Sequence, residues 1–238
     1  MCGLIPSPRF RPGDLDVWRR LELADRLYAQ RYRAKLDRMA DESRATIAAF
    51  LEDGPAYCSV SWGKDSVVVA DLCRGLGLPY VWVKVQPIST PEGPQVAAAF
   101  LGTEEYQEIE VWCSKDEHGW HASGTLEAGF SQLGHARRIS GIRKDESQSR
   151  RLRGSHNTKN SCVPIAKWTV QDVFAYLSLH NLPIHPAYAM SNGGQFDRNH
   201  IRVASLGGER GTGFDRRHWE ELYYSQELHQ IESLSPPT

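Results

Sequence analysis

The stretch 56–66, AYCSVSWGKDS, constrains the fold of this chain more than any other. An apolar run with the character of a strand ends there in small and polar residues with one lysine, and the apolar helical segment VVVADLCRGLG follows at once. A strand, a tight turn and a helix in this order direct backbone N–H groups and the positive end of a helix dipole to one point, which stabilises an anion. Lys64 adds a charge, and the hydroxyls of Ser61 and Ser66 can bond phosphate oxygens. The stretch therefore predicts a phosphate-binding turn.

Strand and helix patterns alternate after this turn. Strands are predicted at 56–61, 80–85, 106–112 and 137–142, and helices at 66–76, 93–101 and 168–180, with weaker helical character within 114–135. This alternation is typical of a doubly wound α/β fold with a mostly parallel sheet, here of five strands, whose ligand lies at the carboxyl ends of the strands. We predict three stretches: an N-terminal helical segment (1–54), the nucleotide-binding α/β part (55–189), and a C-terminal loop and helix that complete the site (190–238).

Composition indicates a cytoplasmic enzyme that does not enter a membrane. The 238 residues are 40% hydrophobic, the mean hydropathy is -0.49, and no apolar run reaches the roughly 20 residues that span a bilayer. The N-terminal residues have no apolar stretch typical of a secretory signal. The five cysteines are odd in number and scattered, which argues against a disulfide framework. With a net charge of -1, any nucleic-acid binding would need a local patch.

Three motifs in order resemble those of one family. The hexapeptide SWGKDS at 61–66 cannot be written as a Walker A loop; it resembles the PP-loop, SGGKDS, of the ATP pyrophosphatases and the sulfonucleotide (PAPS) reductase family, with Trp62 in place of the first glycine. Residues 141–150 resemble the family's GxRxxES-xxR signature, and 164–188 resemble its P-x3-W-x3-DV-x2-Y helix and the following P-x2-P-x-Y. The resemblance implies the adenine nucleotide alpha-hydrolase-like fold.

The resemblance also implies the site residues. Those expected to contact the nucleotide are Ser61, Trp62, Gly63, Lys64, Asp65, Ser66, Gly141, Arg143, Glu146 and Ser147. Those expected to act in catalysis are Lys64, Asp65, Arg143 and Arg150. Asp65 cannot itself bind phosphate favourably, so it is expected either to hold Mg²⁺ or to fix Lys64.

The resemblance leaves several activities open. In the favoured interpretation the enzyme binds ATP with Mg²⁺ and cleaves it at the α-phosphorus, which adenylates an acceptor and releases pyrophosphate, in sulfur transfer or nucleic-acid thiolation. The family's reductases use a C-terminal Glu-Cys-Gly-Leu-His cysteine, and this sequence has no cysteine after Cys162. One alternative is a PAPS or APS reductase with a non-standard thiol, for which Cys162 is the nearest substitute. Another is an adenine-nucleotide-binding module without turnover, in which Trp62 narrows the phosphate approach.

Several partners are expected besides the nucleotide. Thiolation would require a cysteine desulfurase or another sulfur donor. A DNA or tRNA backbone could follow a cationic path formed by residues 137–153 with Arg198, Arg202, Arg210, Arg216 and Arg217. The amphipathic N-terminal helices could form a homodimer contact.

Overall fold

The computed structural model of the chain describes residues 3–102, 105–116, 119–121, 128–133, 137–146, 157–203, 205–207 and 215–234. The helices are α1 (Asp14–Arg31), α2 (Arg33–Glu52), α3 (Lys64–Leu72), α4 (Gly93–Leu101), α5 (Val170–Leu179), α6 (Arg216–Tyr223) and α7 (Ser225–Ser233). The strands are β1 (Tyr57–Ser59), β2 (Tyr80–Gln86), β3 (Gln107–Trp112), β4 (Ser114–Asp116), β5 (Gly119–His121), β6 (Arg138–Ser140) and β7 (Ser161–Cys162).

The main sheet has five strands in the order β3-β2-β1-β6-β7, and all of its pairings are parallel. The predicted fold class is therefore confirmed. Strand β2 is buried along nearly its whole length, as expected for a strand covered on both faces. The direction in which successive strands are added reverses between β1 and β6. In open parallel sheets the crevice at this reversal, beyond the carboxyl ends of the strands, is where ligands bind.

Helices cover both faces of the sheet. On one face Tyr80 of β2 donates a hydrogen bond to Ala70 O of α3 and packs edge-on against Phe100 of α4. On the other face a helical turn at 128–131 lies over the sheet, and the ring of its Phe130 stacks on Tyr57 of β1. This arrangement is the doubly wound one that the alternating pattern predicts.

The helix α5 begins where the sequence predicts it. Thr169 accepts a hydrogen bond from Asp172 N–H at 3.1 Å, and the Asp172 carboxylate accepts one from Thr169 N–H at 3.1 Å, which completes a capping box. Helix α1 packs on α5, and Trp18 meets Phe174 edge-on. One cluster of buried side chains runs from Trp18 to Ile231, so the N-terminal and C-terminal helices share the core of the sheet.

Four predictions of secondary structure are corrected. The prediction of weak helical character within 114–135 is wrong for 114–121, where β4 and β5 pair as a small antiparallel hairpin. The fifth strand is β7, which the sequence pattern did not identify because it has only two residues. The C-terminal segment contains two short helices, not one. The strands β1 and β6 end two residues earlier than predicted, which leaves the residues beyond them free to form the site.

The homodimer contact stays a prediction. Helix α1 exposes Leu23 and Leu27, which lie one helical turn apart. In the part of the chain that the structure describes, no helix is both long and apolar enough to cross a membrane.

Candidate functional site

A cavity of about 430 Å³ opens at the reversal point of the sheet. The 61–66 turn and the first turn of α3 form one wall, and the end of β6 with Gly141 forms another. Residues of β2 and Phe130 supply an apolar side, and Tyr188, Arg202, Val203 and Ser205 close the cavity from the loop side. An apolar side beside a polar end is typical of small-molecule sites.

The 61–66 turn is held by its own hydroxyls. Ser66 Oγ donates a hydrogen bond to Gly63 O at 3.0 Å and accepts one from Ser61 N–H at 3.2 Å. Helix α3 starts at Lys64, and its first intrahelical bond runs from Val67 N–H to Gly63 O. The N–H groups of the first turn therefore have no intrahelical acceptor, which makes this end of the helix suited to an anion.

Two glycines allow the walls of the cavity to approach each other. A Cβ at Gly141 would lie 2.7 Å from the carbonyl carbon of Asp65 and 2.9 Å from Ser66 N, both of them backbone atoms. A Cβ at Gly63 would lie 2.9 Å from a Val203 methyl and 3.2 Å from Tyr188 Oη. Side chains at these positions would force the end of β6 and the loop away from the turn.

The charged residues of the site form one buried cluster. The Asp65 carboxylate lies 2.8 Å from Lys64 Nζ and 2.5 Å from Arg143 Nε. Burial alone would raise the pKa of Asp65, but Lys64 and Arg143 outweigh burial and lower that pKa. Burial alone would likewise lower the pKa of Lys64, but Asp65 raises it. Lys64 and Asp65 are therefore both charged at neutral pH.

The predicted site residues fall into three groups. Ser61, Gly63, Lys64, Asp65, Ser66 and Gly141 line the cavity together. The Arg143 side chain is 3% exposed, does not line the cavity and bonds the Asp65 carboxylate, so it is placed to position that carboxylate. Ser147 and Arg150 lie outside the described residues, and Glu146 is described only as part of a short 3-10 turn.

Trp62 takes part in the turn through its backbone. Its φ is 58°, in the left-handed region that glycine adopts most easily, which is the physical reason for glycine at this position in the motif. Its ring is fully buried against Phe100 and Tyr106, with centroids 6.2 and 5.4 Å away, and does not line the cavity. The indole therefore does not narrow the phosphate approach, and the nucleotide contact predicted for Trp62 can come only from its main chain.

Several polar groups that line the cavity were not among the predicted site residues, although two of them, Arg138 and Arg202, belong to the predicted cationic path: Arg138, Ser140, Tyr188 and Arg202. Ser140 Oγ is buried and has no hydrogen-bond partner among the described residues. Tyr188 accepts a hydrogen bond from Lys64 N–H at 3.3 Å. The P-x2-P-x-Y pattern could have identified Tyr188 as a site residue. The position of Ser140 at a strand end, directly before Gly141, could have identified Ser140. The sequence assigned Arg202 to the cationic path, and its stretch has no periodicity that would place it at the cavity.

No cysteine among the described residues borders the cavity. Cys58, Cys73, Cys113 and Cys162 are all at most 2% exposed. Burial raises the pKa of Cys162 to about 12, so its thiolate is scarce at neutral pH. The reactive role considered for Cys162 therefore lacks both access and ionisation in this structure.

The predicted cationic path is interrupted. Arg198 is buried and forms two hydrogen bonds with the Asp25 carboxylate at 2.8 and 2.6 Å, so it cannot meet a nucleic-acid backbone. Arg216 pairs with Glu220, and Arg217 pairs with Glu221 and Glu232. Arg210 lies outside the described residues. Binding of DNA or tRNA stays a prediction without support from these side chains.

One carboxylate, that of Asp65, is placed to bind a magnesium ion in the cavity. Asp65 is the single acidic residue among the described residues that line the cavity, and no group of three metal-ligating side chains occurs in the described part of the chain. Each Asp65 oxygen accepts a bond from a cation and retains a second lone pair. These residues fit an ion that takes most of its ligands from phosphate oxygens and water.

One family model supports the resemblance over part of the chain. Residues 120–213 match the model of the phosphoadenosine phosphosulfate reductase domain family. This match begins beyond the 61–66 turn, so the role of the turn depends on its own geometry. A crystal structure of phosphoadenylyl-sulfate (PAPS) reductase from Candida auris, a phosphate complex, is similar with 12% identity and a TM-score of 0.45, and the likeness covers 63% of this chain and 87% of that one. None of the curated proteins matches the chain.

Proposed function

We propose that this chain, whose residues 120–213 match the PAPS reductase domain family, binds ATP with Mg²⁺ in the cavity and transfers the adenylyl group to an acceptor. An oxygen of the acceptor attacks the α-phosphorus. The bond from that phosphorus to the oxygen bridging to the β-phosphorus breaks, and pyrophosphate leaves with the bonding electrons. The triphosphate would lie along the 61–66 turn, where Lys64 and the first turn of α3 face the leaving pyrophosphate.

The observation that carries this proposal is the composition of the cavity. Its polar end offers Lys64, serine hydroxyls and a helix N-terminus, while every cysteine that the structure describes is buried away from it. Such a site can align a polyphosphate and neutralise its charge, which is most of what adenylyl transfer needs from a protein. Sulfonucleotide reduction needs a thiolate next to the substrate sulfur.

Magnesium would neutralise part of the triphosphate charge. Asp65 would contact the ion or its water while it continues to hold Lys64 and Arg143. An adenylated acceptor is activated for displacement by sulfur, so a cysteine desulfurase or another sulfur donor would act next. A nucleic acid or a small molecule would be the acceptor.

The experiment measures pyrophosphate release from ATP and Mg²⁺ with sulfate, tRNA and DNA offered as acceptors. We expect release by the wild-type protein and its loss in Lys64→Ala. Lys84→Ala is the matched control, because Lys84 lies on β2 outside the cavity and pairs with Glu108 and Glu110. Thiol-dependent sulfite release from PAPS would instead establish the reductase. ATP binding with neither reaction would favour the module without turnover.

A further inference from the structure

Tyr188 places a hydroxyl against the 61–66 turn at the inner end of the cavity. Its side chain is 3% exposed and lines the cavity. Its Oη accepts a hydrogen bond from Lys64 N–H at 3.3 Å and would lie 3.2 Å from a Cβ at Gly63. The hydroxyl is therefore beside the first backbone donor of α3, where an anion at this helix end would lie.

Among the described residues, the Tyr188 hydroxyl accepts a hydrogen bond but donates none. A phenol accepts through its oxygen and donates through its single proton. The oxygen is engaged by Lys64 N–H, and none of the described residues accepts the proton. Burial raises the pKa of Tyr188, so the hydroxyl keeps its proton at neutral pH. A group that enters the cavity with a lone pair would complete the pairing.

We propose that Tyr188 donates its proton to a phosphate oxygen of the bound nucleotide and is thus a phosphate-binding residue, an inference that rests on the proposed function. The Tyr188 oxygen accepts the hydrogen bond from Lys64 N–H, and its own O–H is then available to donate to a group in the cavity. Because hydrogen bonds in a chain polarise one another, the hydroxyl is a stronger donor than an isolated phenol.

The surroundings of Tyr188 hold the ring in place before any ligand arrives. Phe174 packs edge-on against it with centroids 5.6 Å apart, and Tyr188 lies in the short 3-10 turn Pro186–Ala189. The Lys64 ammonium lies 5.2 Å from the ring centroid, within the range of a cation–π contact. The same residue therefore orients the lysine and supplies a hydroxyl, and this pre-organised pair suits the terminal phosphates of a nucleotide.

The experiment compares Tyr188→Phe with the wild-type protein by calorimetry, using pyrophosphate, ATP and adenosine as ligands. The variant lacks only the hydroxyl. We expect pyrophosphate and ATP to bind about tenfold more weakly, as for the loss of one hydrogen bond to a charged group, and adenosine to bind as before. Tyr176→Phe is the matched control, because Tyr176 is a buried tyrosine that donates to Asp71 at 2.8 Å outside the cavity. It should lower the melting temperature and leave all three affinities unchanged.

The outcomes separate this inference from the proposed function. If the wild-type protein binds pyrophosphate and Tyr188→Phe binds it equally well, the inference is wrong and the proposed function stands. If pyrophosphate binding depends on Tyr188 but ATP is never cleaved, the inference stands and the proposed function fails. A wild-type protein that binds neither ligand overturns both. Should Tyr188→Phe unfold, 3-fluorotyrosine at position 188 keeps a more acidic hydroxyl; tighter pyrophosphate binding supports the inference, and unchanged binding overturns it.

Discussion

Asp65 and Arg143, 78 positions apart in the chain, meet at 2.5 Å between Oδ1 and Nε. The contact joins the first turn of α3 to the residues that follow β6, across the point where the sheet reverses. The second oxygen of Asp65 holds Lys64, so one carboxylate fixes two cations beside the cavity. Without that carboxylate, two buried positive charges would face each other.

Asp65→Asn is expected to destabilise the protein by about 3–5 kcal/mol, the usual cost of removing one partner from a buried ion pair. The side chains of Lys64 and Arg143 are 6% and 3% exposed, so water cannot replace the lost charge. Urea denaturation measures the change in the free energy of unfolding. Asp16→Asn is the control, because Asp16 pairs with Arg19 on the exposed surface of α1 and should change stability little.

The same pair predicts a dependence of stability on pH. The pKa of Asp65 is lowered in the folded protein, so the unfolded chain takes up the proton first as pH falls. The contribution of Asp65 is thus complete above about pH 4, near the ordinary pKa of aspartate, and is lost as pH falls through the folded value. Denaturation curves of wild type and Asp65→Asn should converge in this acid range. Curves that stay parallel down to pH 2 would contradict the ion pair.

Gly141→Ala should destabilise the protein by about 2–3 kcal/mol, in the range of overpacked sites, and weaken ATP binding. Its Cβ would meet backbone atoms of Asp65 and Ser66 that cannot rotate away. Gly141 has no left-handed φ, so the clash acts there without backbone strain, whereas Gly75→Ala, at a φ of +80° with nothing within 4 Å of a Cβ, measures backbone strain without a clash. A Gly141→Ala variant that keeps its stability and its ATP affinity would show that the close approach has no role in the site.

Local pattern predicted the helices and the strands that are long enough to show periodicity, and it placed the 61–66 turn at the correct edge of the sheet. It could not find β7, because two residues carry no period, or the hairpin at 114–121, whose pairing depends on contacts between strands. Within the site, the charges of Lys64 and Asp65 were readable from the motif. The burial of Arg143 and the inward turn of Trp62 depend on packing with residues distant in sequence, which no single-sequence pattern encodes.

Ser140→Ala is expected to leave stability unchanged or to raise it by up to about 1 kcal/mol, because a buried hydroxyl without a partner costs free energy. If a ligand supplies the missing partner, the same variant should bind ATP more weakly. Ser43→Ala is the matched control: Ser43 is also buried but donates a hydrogen bond to Pro164 O at 2.9 Å, so its loss should destabilise by about 1 kcal/mol and leave ATP affinity intact. Thermal denaturation and calorimetry measure the two effects.

The buried thiols give a direct test against a reductase that uses them. In a Cys2→Ser background, the four remaining cysteines should react with a thiol reagent at pH 8 only after unfolding, since burial raises the pKa of Cys162 to about 12 and also raises that of Cys113. Cys162→Ala should retain ATP affinity. One fast-reacting thiol in the folded protein, lost in Cys162→Ala together with sulfite release from PAPS, would restore the reductase interpretation.

Trp62→Gly tests the exchange of backbone strain for packing at the turn. Glycine would relieve a left-handed conformation that costs other residues about 1–2 kcal/mol, but it would remove a fully buried indole, whose truncation costs about 3–5 kcal/mol. We expect a net loss of about 1–4 kcal/mol in the free energy of unfolding, measured in urea, because packing outweighs strain. Affinity for ATP should change little at temperatures where the variant is folded, since the ring lies outside the cavity.

Trp112→Gly, which alters an indole that is 60% exposed at the end of β3, is the control for losing a tryptophan from the surface. A marked gain in ATP affinity for Trp62→Gly alone would mean that the indole restricts the phosphate approach after all.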